Sequence, residues 1–109
     1  LAPAGIGFLD GNGLGGRYKG NLFVGFSTLD TLNGPLFTFE VHDDELKLGD
    51  RRLRDQVADN LTFHDMTESE SLLFGTNFGI VTDIQTGPNG NLFVVSLSDG
   101  AIYEIFRRR

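Results

Sequence analysis

The stretch FGIVTDIQTGPNGNLFVVSLSDGAIYEIF, Phe78 to Phe106, decides the fold. It contains three short apolar runs separated by two turn signals. The first signal is GPNG at positions 87–90, where Asn-Gly tolerates the positive φ angles of a tight hairpin, and the second is SDG at positions 98–100. The stretch therefore predicts an antiparallel meander. Its strands are expected at Ile80–Thr86, Leu92–Leu97 and Ala101–Phe106.

The same unit occurs earlier in the chain. Gly20–Val24 (GNLFV) repeats as Gly90–Val94, about 70 residues later. Gly34–Phe39 (GPLFTF) is similar to Gly100–Ile105 (GAIYEI) at a slightly smaller offset. Self-similarity at a long period is typical of repeat architectures, and an array of four-stranded blades fits it.

The first half of the chain is expected to contribute further strands at Ala4–Leu9, Asn21–Ser27 and Leu36–Val41. Thr28–Gly34 is long for a hairpin and predicts an exposed loop. Leu46–Asp59 is ambiguous, because apolar residues at positions 53, 57 and 61 have helical spacing, whereas the family resemblance described below implies an outer strand followed by a loop.

Composition restricts the function. The chain has 109 residues, 39% of them hydrophobic, which suits one small globular domain. Its net charge of -6 argues against nucleic acid or an anionic membrane as the main partner. It has no cysteine, so disulfides and thiolate chemistry are excluded. No apolar run reaches the length of a membrane span, and no signal peptide is evident. A start without Met indicates a mature form or a piece of a longer protein.

A glycine-rich stretch, Asp10–Gly20, contains the spacing Gly11-x-Gly13-x-x-Gly16. A dinucleotide site with this spacing needs a following helix, whose N-terminus holds the pyrophosphate. The sequence NLFVGF follows instead and predicts a strand. A flexible loop over a sheet face is therefore the preferred interpretation.

Polar clusters offer three weaker hypotheses. His42-Asp43-Asp44-Glu45 lacks the glycine and oxygen ligands of a calcium loop and is interpreted as a solvated turn. Between positions 60 and 74, His64 lies near carboxylates that could form an acid–base pair, although an exposed histidine in an acidic loop is the simpler interpretation. The same segment contains the sequon Asn60-Leu61-Thr62 and a capping-box pattern, which predicts a short helical turn over 67–73. The carboxylates are Asp65, Glu68 and Glu70.

The C-terminal stretch of the chain, together with upstream residues, resembles a known family. The run FGxxFGxVTDIxxGPxGxLFVxSxxxGxIYxI, positions 74–105, resembles the C-terminal blade of the soluble PQQ-dependent sugar dehydrogenases, the glucose/sorbosone dehydrogenase family. Upstream residues follow the order and spacing of that family from position 3 to 59. The resemblance covers nearly the whole chain, but only the last third or so of a family member. It implies PQQ, calcium, a sugar substrate and a periplasmic or extracellular location.

The resemblance also indicates a candidate site. Two arginines that contact the PQQ carboxylates in the family would fall on Ile80 and Thr82, and a family lysine would fall near Leu32 or Asn33, so all three cations are missing. By position, Thr82 and Asp83 are the remaining cofactor-binding candidates. The alternative for Asp83, and the favoured one, is a buried carboxylate that ties neighbouring strands together. The catalytic histidine and the calcium ligands belong to earlier blades.

These observations predict an all-β chain that forms about two four-stranded blades of a six-bladed β-propeller. Residues 1–59 are the expected first blade, 60–79 a loop whose role is open, and 80–109 the last blade, ending at the natural C-terminus. Such a pair exposes sheet edges, so the chain is expected to be part of a longer propeller, to form a homotrimer, or to aggregate. The implied function is that of a sugar dehydrogenase segment, an oxidoreductase acting on CH–OH groups. The alternative is a non-catalytic binding or structural module.

Overall fold

The computed structural model describes residues 2–27, 34–42, 45–47 and 72–107. Every strand pairing in these residues is antiparallel. The expected all-β class is therefore confirmed, and the predicted strand boundaries hold to within two residues. The eight strands are β1 (Ala2–Phe8), β2 (Leu22–Ser27), β3 (Leu36–His42), β4 (Glu45–Lys47), β5 (Leu73–Gly75), β6 (Val81–Thr86), β7 (Leu92–Ser96) and β8 (Ala101–Ile105).

The strands form two sheets. Sheet I has the order β1-β2-β3-β4, and β5 also pairs with β3. Sheet II has the order β6-β7-β8 and contains three strands in the part of the chain that the structure describes. The path β1-β2-β3-β4 and sheet II are meanders in sequence order, as the closely spaced turn signals predicted, whereas β5 joins sheet I outside that order.

The internal repeat is present in the backbone register as well as in the sequence. Both units also have a register shift near the start of their first strand, between Pro3 and Gly5 in β1 and between Val81 and Asp83 in β6. The two three-stranded units, β1–β3 and β6–β8, therefore have equivalent strand registers, including the bulge in their first strand. The row Phe8–Leu22–Phe39 corresponds to Thr86–Leu92–Ile105, and the row Ile6–Val24–Phe37 corresponds to Ile84–Val94–Tyr103.

The hydrophobic core lies between the two sheets. Side chains alternate across a strand, so each sheet contributes one face to this core. Phe23 and Leu36 of sheet I are fully buried against sheet II, and each such burial is worth about 1.5–3 kcal/mol. The buried core residues are Leu9, Leu14, Phe23, Leu36, Val81, Ile84, Leu92 and Val94.

The packing of the two units is head-to-tail. Sheet II buries the face that carries Ile84 and Val94, whose equivalents in sheet I, Ile6 and Val24, lie on the face pointing away from sheet II. Sheet I covers sheet II with its opposite face. Equivalent units that pack through different faces generate an array that can continue in both directions.

Glycines bring the first strands of the two sheets into close contact. A Cβ atom on Gly5 would lie 2.9 Å from the Val81 carbonyl oxygen, and one on Gly7 would overlap the backbone of Ile84. Gly25, which pairs with Gly5, would overlap the side chain of Val81. We call Gly5, Gly7 and Gly25 the glycine seam. Gly5 lies beside Val81 and Gly7 lies beside Ile84, so β1 and β6 run in the same direction.

The glycine-rich loop is tied to sheet II by backbone hydrogen bonds, and the interpretation of this stretch as a flexible loop over a propeller face stays a prediction. Leu14 lies in the core. The Gly13 amide donates to the Gly90 carbonyl oxygen at 2.9 Å, and the Arg107 amide donates to the Gly13 carbonyl oxygen at 3.2 Å. No helix follows, because residues from Leu22 onward form β2, as the strand prediction for NLFVGF required.

The segment between the units differs from expectation at its end. Residues 73–75, expected in a loop or helical turn, form β5 and pair with β3 because Phe74 packs edge-on against Phe23 at a centroid distance of 5.1 Å. Several predicted features lie outside the described residues: positions 67–71 of the helical turn, the sequon, His64, positions 28–33 and most of 46–59. None of the described structure is a helix with the length and apolarity of a membrane span.

Replacing Gly7 with Ala tests the glycine seam. The added methyl group would displace the Ile84 backbone, and overpacking of this kind costs about 1–3 kcal/mol. We expect Gly7→Ala to lower the free energy of unfolding in urea by that amount. Gly16→Ala is the control, since nothing lies within 4 Å of its Cβ position. Equal stability of the two variants would contradict the seam.

Candidate functional site

The two predicted cofactor-binding residues lie together at the bulge of β6. Thr82 is the extra residue between the paired positions Val81 and Asp83. Both Thr82 and Asp83 are exposed. A bulge turns side chains away from the regular alternation, which explains how two consecutive residues both reach solvent. The candidate site is therefore a small polar surface at one end of sheet II.

Asp83 is not the buried carboxylate that the sequence favoured, and that prediction is wrong. Its side chain is exposed, and Oδ1 accepts hydrogen bonds from the Ile84 amide at 2.9 Å and from Gln85 Nε2 at 3.2 Å. Both donors belong to its own strand. The carboxylate therefore organises the bulge locally and ties no neighbouring strands together. The shift in register places Asp83 on the face of sheet II that sheet I leaves open.

The residues at this surface do not fit PQQ. The cofactor carries carboxylates, which need cationic partners such as bidentate guanidinium groups. Thr82 offers only a neutral hydroxyl, and the adjacent Asp83 adds negative charge that opposes an anionic ligand. Strand β6 itself carries no cation. Of the four cationic side chains among the described residues, the Arg17 guanidinium lies over the Tyr18 ring at 5.2 Å and the Arg107 guanidinium lies beside Gly15.

Calcium is equally unsupported at this surface. Among the described residues, no group of three acidic or histidine side chains is arranged to hold a metal ion. In the cluster that begins at His42, the backbone positions of His42 and Glu45 lie opposite each other in the β3–β4 pairing. Asp43 and Asp44 lie outside the described residues, so the interpretation of that cluster as a solvated turn stays a prediction.

The structure reveals a polar cluster that the sequence did not indicate. The side-chain amides of Asn89 and Asn91 each donate to Glu104 Oε2 at 2.9 Å. These hydrogen bonds stabilise the charged carboxylate and lower the pKa of Glu104, and the bond from Asn91 has the larger effect. The turn at 87–90 was visible in the sequence, but only the pairing of Phe93 with Glu104 brings the carboxylate to it.

A second cluster lies at the opposite turn of sheet II. The Tyr103 hydroxyl donates to Asp99 Oδ2 at 2.7 Å, and this hydrogen bond is the main reason why the pKa of Tyr103 is raised. The Ser98 hydroxyl accepts from the Ile80 amide at 2.8 Å. Every polar group of this cluster has a partner inside sheet II or next to it. The cluster therefore holds the turn and the start of β6 in place.

The chain matches no protein-family model, no curated protein sequence and no solved structure. Membership of the sugar dehydrogenase family consequently stays a prediction from the resemblance of positions 74–105.

The Glu104 cluster predicts a measurable pKa change. Removing the Asn91 amide should raise the pKa of Glu104 towards its ordinary value. The hydrogen bonds to the charged Glu104 carboxylate lower its pKa in the folded state. Their contribution to the free energy of unfolding is therefore fully present above the unfolded-state pKa and is lost as the pH falls through the folded-state pKa. Asn91→Ala should reduce this loss of stability at acidic pH. NMR titration of the Glu104 carboxyl carbon measures the shift. Asn12→Ala, which removes an amide outside the cluster, should leave the pKa unchanged, and an unchanged pKa in Asn91→Ala would contradict the assignment.

Proposed function

We propose that this chain supplies two neighbouring blades of a β-propeller similar to that of the PQQ-dependent sugar dehydrogenases. The observation that carries the proposal is the head-to-tail packing of two equivalent meanders. Blades of a propeller are repeated antiparallel sheets arranged radially around a channel. The parallel course of β1 and β6 in contact along the glycine seam supports their role as inner strands.

In this proposal the oxidoreductase activity on sugar CH–OH groups belongs to the whole propeller. The described residues of this chain offer neither a cation for PQQ at Thr82 nor a metal cluster for calcium. Cofactor ligands and the catalytic base would come from other blades, and no reaction step is assigned to this segment. Its contribution is a rigid wall that presents Thr82 and Asp83 to the channel. A periplasmic or extracellular location is part of the same proposal.

The polar surface at the bulge favours a second candidate, a non-catalytic module that binds sugar. Thr82, Asp83 and Gln85 are all exposed and lie along one strand. A hydroxyl, a carboxylate and an amide together provide donors and acceptors for sugar hydroxyl groups. This function needs no cofactor, and it accounts for the absence of arginine from positions 80 and 82.

A complementation assay tests the first proposal. The 109-residue chain is mixed with a dehydrogenase of the resembled family truncated before its last two blades, together with PQQ, calcium and an aldose. Dye reduction is followed in the mixture and with each component alone. We expect activity only in the mixture, because the truncated enzyme would supply the cofactor ligands and this chain the missing wall. Gly16→Ala should complement as well as wild type, whereas Gly7→Ala should complement poorly.

An inactive mixture would overturn the dehydrogenase proposal. The second candidate then predicts that an aldose alone shifts the amide NMR signals of Thr82 and Asp83, and that Asp83→Ala abolishes these shifts. Absence of both activity and sugar-dependent shifts would overturn both functions.

A further inference from the structure

The face of sheet I that points away from sheet II carries uncovered apolar side chains near β1. Ile6 is 62% exposed and Phe8 is 57% exposed, although both lie within a strand. A shallow apolar groove of about 160 Å³ runs beside them and is lined by Ala4, Gly5, Ile6 and Val24. We call the surface formed by Ile6, Phe8 and this groove the open face of sheet I. Two large neighbouring apolar side chains in solvent indicate an interaction surface.

The repeat identifies what covers a face of this type. Ile6 corresponds in register to Ile84, which is only 2% exposed because sheet I packs over it. The packing partner of Ile84 is the backbone at Gly7. Along β1 the open face of sheet I is thus the same kind of surface as the covered face of sheet II along β6. Farther from β1 the row of Ile6 is buried at Val24 and Phe37, and among the described residues no strand lies over Ile6 and Phe8.

We propose that the open face of sheet I accepts a third sheet of the same repeat, the neighbouring blade of the propeller, and that this sheet presents glycine opposite Ile6 and Phe8. The inference rests on the blade arrangement proposed above and is independent of the dehydrogenase chemistry. It also specifies the partner, because the fit depends on small residues in its first strand.

Sheet II of a second copy does not meet this requirement. Its free face places Asp83, Gln85 and Val95 where the glycine seam places Gly5, Gly7 and Gly25. In the observed interface even a methyl group at Gly7 would overlap the Ile84 backbone. A Gln85 side chain there would hold the sheets apart, and burying the Asp83 carboxylate against Ile6 without a charged partner would be costly. Copies of this chain are therefore not expected to associate through the open face.

A designed pair of chains tests the proposal. One variant combines Asp83→Gly, Gln85→Gly and Val95→Gly, which recreate the three seam positions on sheet II, with Ile6→Asp, which blocks its own open face. It is mixed with wild-type chain and examined by light scattering. Each chain alone should have the 12.0 kDa mass of a monomer. The mixture should form a 1:1 complex of about twice that mass, since only one pairing of faces is available.

Two controls make the result specific. Ile6→Asp alone, which retains Asp83 and Gln85, should form no complex with wild type. The variant with all four substitutions should form none with Ile6→Asp, because the open face of the partner is then blocked. Circular dichroism establishes that each variant is folded, and Gln85→Gly with Ile6→Asp serves as a milder version with a weaker complex.

Folded chains that stay monomeric in the mixture would overturn the proposal. So would wild-type self-association that Ile6→Asp abolishes, since a second copy would then be the partner. Neither result depends on dye reduction, so this test and that of the dehydrogenase function fail separately.

Discussion

The close approach of β1 to β6 is the constraint on which the rest of this structure depends. Because Gly5, Gly7 and Gly25 have no side chains, Val81 and Ile84 reach the backbone of sheet I and become fully or almost fully buried. Sheets that pack through ordinary side chains lie about 10 Å apart, and the two strands that meet here are closer. The aromatic side chains farther along the sheets, such as Phe23 and Phe74, then fill the space that opens between them.

This constraint also makes the two units unequal. They share the register and the bulge, and Ile6 of one unit corresponds to the buried Ile84 of the other. Only sheet I carries glycine on its covering face, whereas sheet II carries Asp83 and Gln85 at the equivalent positions. The chain is therefore directional. Sheet I has a close-fitting contact already made, and the first strand of sheet II presents the polar residues Asp83 and Gln85 on its free face.

The same directionality bears on function. The bulge that both units share turns Thr82 and Asp83 to solvent at the first strand of sheet II, where a channel or a ligand surface would lie in a propeller. The hydrogen bonds of Asp83 are satisfied within its own strand, and Asn89 and Asn91 hold Glu104 at the far turn. These carboxylates therefore have hydrogen-bond partners within sheet II, and strand β6 itself carries no cation that could pair with an anionic cofactor at Thr82.

The sequence by itself determined the strands, the turns and the repeat, because alternating apolar residues, Asn-Gly turns and the GNLFV recurrence are local signals that act over a few residues. It also located Thr82 and Asp83, although it misjudged the burial of Asp83, since a one-residue bulge changes the face of a side chain without changing composition. Only the tertiary structure decided that Gly5 and Gly7 are packing positions, that the glycine-rich loop is anchored at Gly90, and that Ile6 and Phe8 of β1 are exposed. Those features depend on contacts between residues about 75 positions apart, and no local pattern encodes such contacts.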